Sequence, residues 1–147
     1  MDNWDKKFLA LAKEVSTWSK DPSTKIGAVI VGKNKNVLST GYNGFPRGVD
    51  DCCNRLNHRE TKYKYVVHGE LNAIINAAFL GVSLNGSTIY IHGLPVCEEC
   101  SKSIIQAGIK RVVMNVPKDV PEKWKESYKF SQSIFNEVGI IANTFYY

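Results

Sequence analysis

No apolar run in this sequence approaches the roughly 18–20 residues of a membrane-crossing helix. The longest candidates, Gly27–Val31 and Ala73–Leu80, are of a length suited to a protein core. A basic stretch followed by an apolar one is missing from the N-terminus, where Met1-Asp2-Asn3-Trp4-Asp5 stands, so no secretory signal is read there. Low-complexity tracts, linkers and internal repeats are also missing. Charge of one sign does not dominate: 19 Lys+Arg against 14 Asp+Glu leave +5. That excess suits a phosphorylated ligand and falls short of the basic surface of a nucleic-acid binder. The expectation is a cytoplasmic chain folded as one domain over residues 1–147, with neither a membrane nor a nucleic acid as partner.

Cysteine is scarce and oddly distributed. Cys52 and Cys53 form one tight pair, Cys97 and Cys100 the other. In a reducing compartment a C-x-x-C pair is a metal or redox site more often than a structural disulfide, and the count alone leaves both readings open. The bulk composition, 44% hydrophobic and 22% charged, is that of an ordinary globular domain rather than a disordered, collagen-like or coiled-coil chain.

Trp4, Phe8, Leu11, Val15 and Trp18 recur at spacings of three and four, which predicts an amphipathic helix ending before Asp21-Pro22-Ser23. Ile26–Val31, rich in β-branched residues, and Val37–Tyr42 read as a hairpin around Gly32–Asn36. Residues 43 to about 65 show no period and read as a long functional loop. From Val66-Val67-His68 the period becomes helical, with Leu71, Ile74, Ile75 and Ala78 on one face and Gly81 as the stop. Strand Thr88–Ile91, helix Cys97–Ala107, strand Arg111–Val116, a helix over about Glu122–Glu137 and strand Gly139–Tyr147 follow. Strand-helix-strand alternation implies parallel pairing, so the predicted fold is α/β: a five-stranded mixed sheet with helices on both faces.

Two short motifs carry chemistry. His68-Gly69-Glu70 and Cys97-Glu98-Glu99-Cys100 both stand at predicted helix starts, and the β-α-β arrangement brings those starts to one sheet edge, where open α/β sheets bind ligands. His68, Cys97 and Cys100 make three ligands suited to Zn²⁺ with a fourth position left for water. Glu70 stands beside them and can move protons to or from a substrate. The combination H-x-E with C-x-x-C is the pattern of zinc deaminases.

The surrounding residues sharpen this. Ser19–Val31, Gly41-Tyr42-Asn43-Gly44-Phe45-Pro46-Arg47-Gly48, Thr61–Ile74 and Ile104–Lys110 resemble the deoxycytidylate (dCMP) deaminase family, over about Trp4 to Val116. The resemblance implies a three-layer cytidine deaminase-like fold and hydrolytic conversion of dCMP to dUMP and ammonia, supplying thymidylate synthesis. It implies a zinc-activated water attacking C4 of the base, with Glu70 protonating N3 and then the departing amino group. Asn43, Arg47, Lys62 and Tyr65 would surround the nucleotide, and the Gly69 N–H would hold the base carbonyl. By the same resemblance Cys52, Cys53 and His58 are candidates for a second, structural zinc. The chain would be a homo-oligomer, a hexamer in many relatives, activated by dCTP and inhibited by dTTP with Mg²⁺. Two residues depart from the family pattern: Gly69 stands where His-Ala-Glu is usual, and Val96, not proline, precedes Cys97.

Three rivals stand beside this reading. The same chemistry could act on dCTP, a modified cytosine nucleotide or a purine nucleotide. A tRNA or single-strand deaminase would need aromatic platforms on a long basic surface, which +5 does not provide. A zinc-stabilised binding module would have no use for Glu70.

Overall fold

The computed structural model describes all 147 residues. Its elements are α1 (Asn3–Ser16), β1 (Gly27–Val31), β2 (Val37–Tyr42), α2 (Cys53–Asn57), α3 (Arg59–Tyr65), α4 (Gly69–Leu80), β3 (Thr88–His92), α5 (Glu98–Gln106), β4 (Arg111–Val116), α6 (Glu122–Val138) and β5 (Ile141–Tyr146). The five strands form one sheet in the order β2-β1-β3-β4-β5. β1 is antiparallel to both β2 and β3, whereas β3, β4 and β5 run parallel. The predicted mixed sheet with helices on both faces is therefore the observed one. No helix is long and apolar enough to cross a membrane.

Alternation along the strands separates two cores. Val29, Val31, Tyr90 and Val113 face α1, meeting Phe8, Leu9, Ala12 and Val15. Ala28, Ile30, Ile89, Ile91, Val112 and Met114 face the other side, where Ala73, Ala77, Ile104, Tyr128 and Phe135 cover them. Helix α1 is anchored by an ionic contact as well. Buried Asp5 accepts from Arg111 Nη1 and Nη2 of β4 at 2.8 and 2.7 Å and from the Tyr90 hydroxyl at 2.9 Å.

Three expectations need correction. The stretch from 43 to 65 is not all loop, because α2 and α3 occupy its second half. The helical stripe predicted from Trp4 to Trp18 is buried only at its centre; both tryptophans are exposed, and Trp18 lies beyond the end of α1. The face of α4 turned to the core is Gly69, Glu70, Ala73 and Ala77, not the Leu71–Ile74–Ile75–Ala78 face. The reason is backbone proximity. A Cβ on Gly41 of β2 would run into the Ala73 N–H and the Gly69 carbonyl, so α4 lies against β2 with only small residues between them. Leu71 and Ile74 are half-buried at the edge of that core, whereas Ile75, Phe79 and Leu80 face outward, the last two both 71% exposed.

Candidate metal centre and adjoining cavity

Because β1 is antiparallel to β3, the start of β1 and the end of β2 lie at the same sheet edge as the carboxyl end of β3. The starts of α4 and α5 come to that edge. His68 and Cys97 are the N-cap residues of α4 and α5, both in extended conformation and neither using its side chain to cap its helix. Their side chains are thus free to converge. Cys97 Sγ and Cys100 Sγ each lie 3.4 Å from His68 Nδ1, and one donor atom from each residue falls within 4.8 Å of the others. One imidazole nitrogen and two sulfurs, gathered at two helix N-termini that favour thiolates, make a donor set that fits Zn²⁺.

The protonation of the cluster follows from crowding. The Cys100 thiol hydrogen-bonds Cys97 and, with His68, brings the Cys97 thiol well below its ordinary value despite burial. The neighbouring Cys97 thiolate, burial and Glu70 push Cys100 up in turn. The Cys97 contact holds His68 above its ordinary value despite burial. Glu70, only 5% exposed, is pushed up to about 7 by burial, against the pull of His68. A carboxyl group that exchanges its proton near neutrality is suited to a proton shuttle.

A cavity of about 290 Å³ opens beside this cluster. His68, Glu70 and Cys97 line one part of it; Arg59, Lys62 and Lys123 bring positive charge to the rest. Lys62 is itself 6% exposed and donates to Asp21 Oδ1 at 3.2 Å and Ser23 Oγ at 2.8 Å. Burial opposes the Asp21 charge, but the N–H groups of Ser23 and Thr24 and the Lys62 ammonium together hold its carboxyl below the ordinary value.

The other predicted nucleotide residues have different fates. Asn43 lines the cavity, but its amide is engaged: Oδ1 accepts the Ile26 N–H at 2.8 Å, and Nδ2 donates to the Thr24 carbonyl at 2.9 Å. It holds the segment before β1 in place. Arg47 lies outside the cavity, bonded to Asn76 and stacked on Phe79 of α4. Tyr65 also lies outside, stacked on Phe45 at 5.3 Å with the Arg55 guanidinium 4.6 Å from its ring centre. Cys52, Cys53 and His58 are not drawn together into a metal-ligating group; His58 instead caps α3 through Thr61.

Both departures from the family pattern have a structural counterpart. The methyl that an alanine at 69 would carry lies 3.2 Å from Ile26 Cγ2, so Ile26 would have to give by a few tenths of an ångström to admit it. Val96 is fully buried, and its carbonyl accepts the Ser131 hydroxyl of α6 at 2.9 Å. The residues missed by sequence reading are Asp21, Ser23, Thr24 and Arg59, together with Lys123 and Trp124 from the start of α6. The first two belong to the Asp21-Pro22-Ser23 turn, which reads as a helix stop and lies within the Ser19–Val31 segment of the family resemblance.

The profile of the cytidine and deoxycytidylate deaminase zinc-binding region matches residues 2–116. A protein of Aliivibrio fischeri described as an uncharacterized deaminase in the luxG 3' region is 38% identical over 141 residues, covering 95% of this chain and 92% of its own. Human deoxycytidylate deaminase is 36% identical over 149 residues, covering 97% of this chain and 79% of its own. The structure of the dCMP deaminase of cyanophage S-TIM5 in complex with dCMP and dUMP superposes with a TM-score of 0.80 at 27% identity, over 99% of each chain.

Proposed function

This chain belongs to the cytidine and deoxycytidylate deaminase family, and we propose that it hydrolyses dCMP to dUMP and ammonia with one zinc ion per subunit. The observation that carries this is the joint lining of one cavity by the zinc donors His68 and Cys97, the buried carboxyl of Glu70 and the cationic side chains of Arg59, Lys62 and Lys123. Zinc in such a site supplies Lewis-acid activation of a water molecule. His68, Cys97 and Cys100 are the residues that hold it. Glu70 takes one proton from the attacking water and gives it to N3 of the base, then takes the second proton of that oxygen and gives it to the leaving amino group. Burial favours this exchange by bringing the carboxyl close to neutrality. By the family resemblance the Gly69 N–H would donate to the base carbonyl.

Arg59, Lys62 and Lys123 are the groups for a 5′-phosphate, the ligand that distinguishes a nucleotide from a nucleoside. Asn43 acts by fixing the Thr24–Ile26 wall, while Arg47 and Tyr65 support the surrounding loop and helices. Exposed Ile75, Phe79 and Leu80 on α4 support a homo-oligomer. A second zinc at Cys52, Cys53 and His58 and control by dCTP, or by dTTP with Mg²⁺, remain readings from family resemblance alone.

The test is ammonia release across a panel of deoxynucleotides and nucleosides, with metal content measured. dCMP should be the fastest substrate. Glu70→Gln should retain zinc and lose turnover by roughly two to four orders of magnitude, the usual scale of a positioned acid–base group. Parental activity in that variant would mean a binding module, and a faster purine or triphosphate would change the substrate.

A further inference from the structure

Pro95 lines a second cavity as well as the catalytic one, and the second is the larger, at about 410 Å³. It lies where β4 and β5 end: Val116 is the last residue of β4, and Thr144 and Tyr146 belong to the end of β5. These strands run parallel, so the cavity opens at their carboxyl edge, where open α/β sheets bind ligands. His68, Glu70, Cys97 and Cys100 take no part in it.

Three lysines line this cavity and no carboxylate does. Lys118 follows β4, and its backbone is fixed by donation of its N–H to the Tyr147 carbonyl at 3.2 Å. Lys125 and Lys129 stand four apart on α6 and so share a face, where like charges repel. Lys125 has Glu122 at 3.8 Å, a loose pair of exposed side chains; neither Lys118 nor Lys129 has a carboxylate within 4 Å. A neutral donor stands with them. Buried Tyr128 and Thr144 pair their hydroxyls at 3.0 Å. Two hydroxyls hold two hydrogens and this bond uses one, which leaves one O–H to donate. Val116 and Val120 are buried in the lining, and the Tyr146 ring, 61% exposed, offers a face for stacking.

We propose that this crevice is a second ligand site, for a small phosphate ester that carries a ring. Lysines are point charges that suit a phosphate, and no arginine fork is present to select a carboxylate. The remaining hydroxyl hydrogen goes to a phosphoryl oxygen, and the ring lies against Tyr146 and the apolar lining. Neither zinc nor the deamination enters this argument, so the site stands or falls apart from the deaminase reading.

The experiment titrates phenyl phosphate into the zinc-loaded protein at low salt. Calorimetry reads affinity, and mass spectrometry reads the acetylation rate of each lysine. Saturation should slow acetylation of Lys118, Lys125 and Lys129 at least about fivefold and leave Lys7 and Lys13 of α1 unchanged. Lys125→Met/Lys129→Met should weaken binding about 25-fold, at about fivefold for each exposed charge contact. Both lysines are exposed, so the thermal midpoint should stay parental. Lys125→Arg/Lys129→Arg keeps the charge and should keep most of the affinity. Absence of selective protection would overturn the proposal. So would Lys7→Met/Lys13→Met weakening binding as much as the α6 pair, because net charge alone would then explain the effect. Benzoate protecting the three lysines as well as phenyl phosphate does would overturn the assignment to a phosphate.

Discussion

Replacing Asp5 with asparagine should destabilise the domain by about 3 kcal/mol, near the lower end for breaking a buried charge pair. Asp5 is buried on α1, where its carboxylate receives both terminal nitrogens of Arg111 and the hydroxyl of Tyr90, which is only 1% exposed. An asparagine of the same shape can accept at Oδ1 but presents an NH₂ group where the second oxygen stood. One N–H of the guanidinium then faces another donor. The estimate stays at the lower end because the Arg111 side chain is 30% exposed and water can reach it. For a domain of this size each kcal/mol lowers the thermal midpoint by about 2–4 °C, so the fall should be about 6–12 °C. The hydrogen bonds from Arg111, against the opposing effect of burial, hold the Asp5 carboxyl below its ordinary value. Its contribution is therefore complete above the unfolded carboxylate value of about 3.9 and fades as pH falls through the lower folded value. Urea unfolding followed by circular dichroism at pH 7, 5 and 3 measures both effects. A stability difference below about 1 kcal/mol at pH 7 would refute the reasoning, because exposed pairs already reach that value. So would a difference that failed to shrink between pH 5 and pH 3.

Other changes test the site and its supports. Gly41→Ala should push α4 off β2 and cost at least about 3 kcal/mol, in the range of severe core damage, with weakened zinc retention because His68 opens that helix. Differential scanning calorimetry and metal analysis read the two effects. Lys62→Met should leave Asp21 buried without its cation and destabilise by about 3 kcal/mol, while Lys62→Met/Asp21→Asn should recover much of the loss in a thermal scan. In the zinc-loaded protein a thiol reagent should modify Cys52 and Cys53, and after chelation all four cysteines, with Cys97 fastest of the newly released pair because its thiol ionises more easily.

Much of the site could be read from the sequence because its essential parts are local. His68 with Glu70, and Cys97 with Cys100, announce themselves by spacing, and strand–helix alternation places both helix starts at one edge. What could not be read depends on contacts distant in sequence. Helices α2 and α3 have 5 and 7 residues, too short to display an apolar stripe; α3 is supported by Lys62 on Asp21 and Tyr65 on Phe45, and α2 by Arg55 over the Tyr65 ring. The buried face of α4 was misassigned because hydrophobicity points to Ile74 and Ile75, whereas the sheet selects small residues opposite Gly41. Arg47 and Asn43 share a short motif yet serve different neighbours, since one extends over α4 and the other turns in beneath β1. Proximity in sequence does not reveal that divergence.

The cavity wall formed by Pro121, Lys123 and Trp124 lies at the N-cap and first turn of α6, after the last strand that precedes the metal-ligating cysteines. The metal-ligating residues are thus all encoded before the last wall of the cavity. A polypeptide shortened to Val116 would still contain His68, Glu70, Cys97 and Cys100, but it would lack one side of the cavity and the Ser131 tie to Val96. Full zinc occupancy is consequently no measure of an intact substrate chamber. Variation confined to α6 can retune what enters the chamber without altering a single metal ligand.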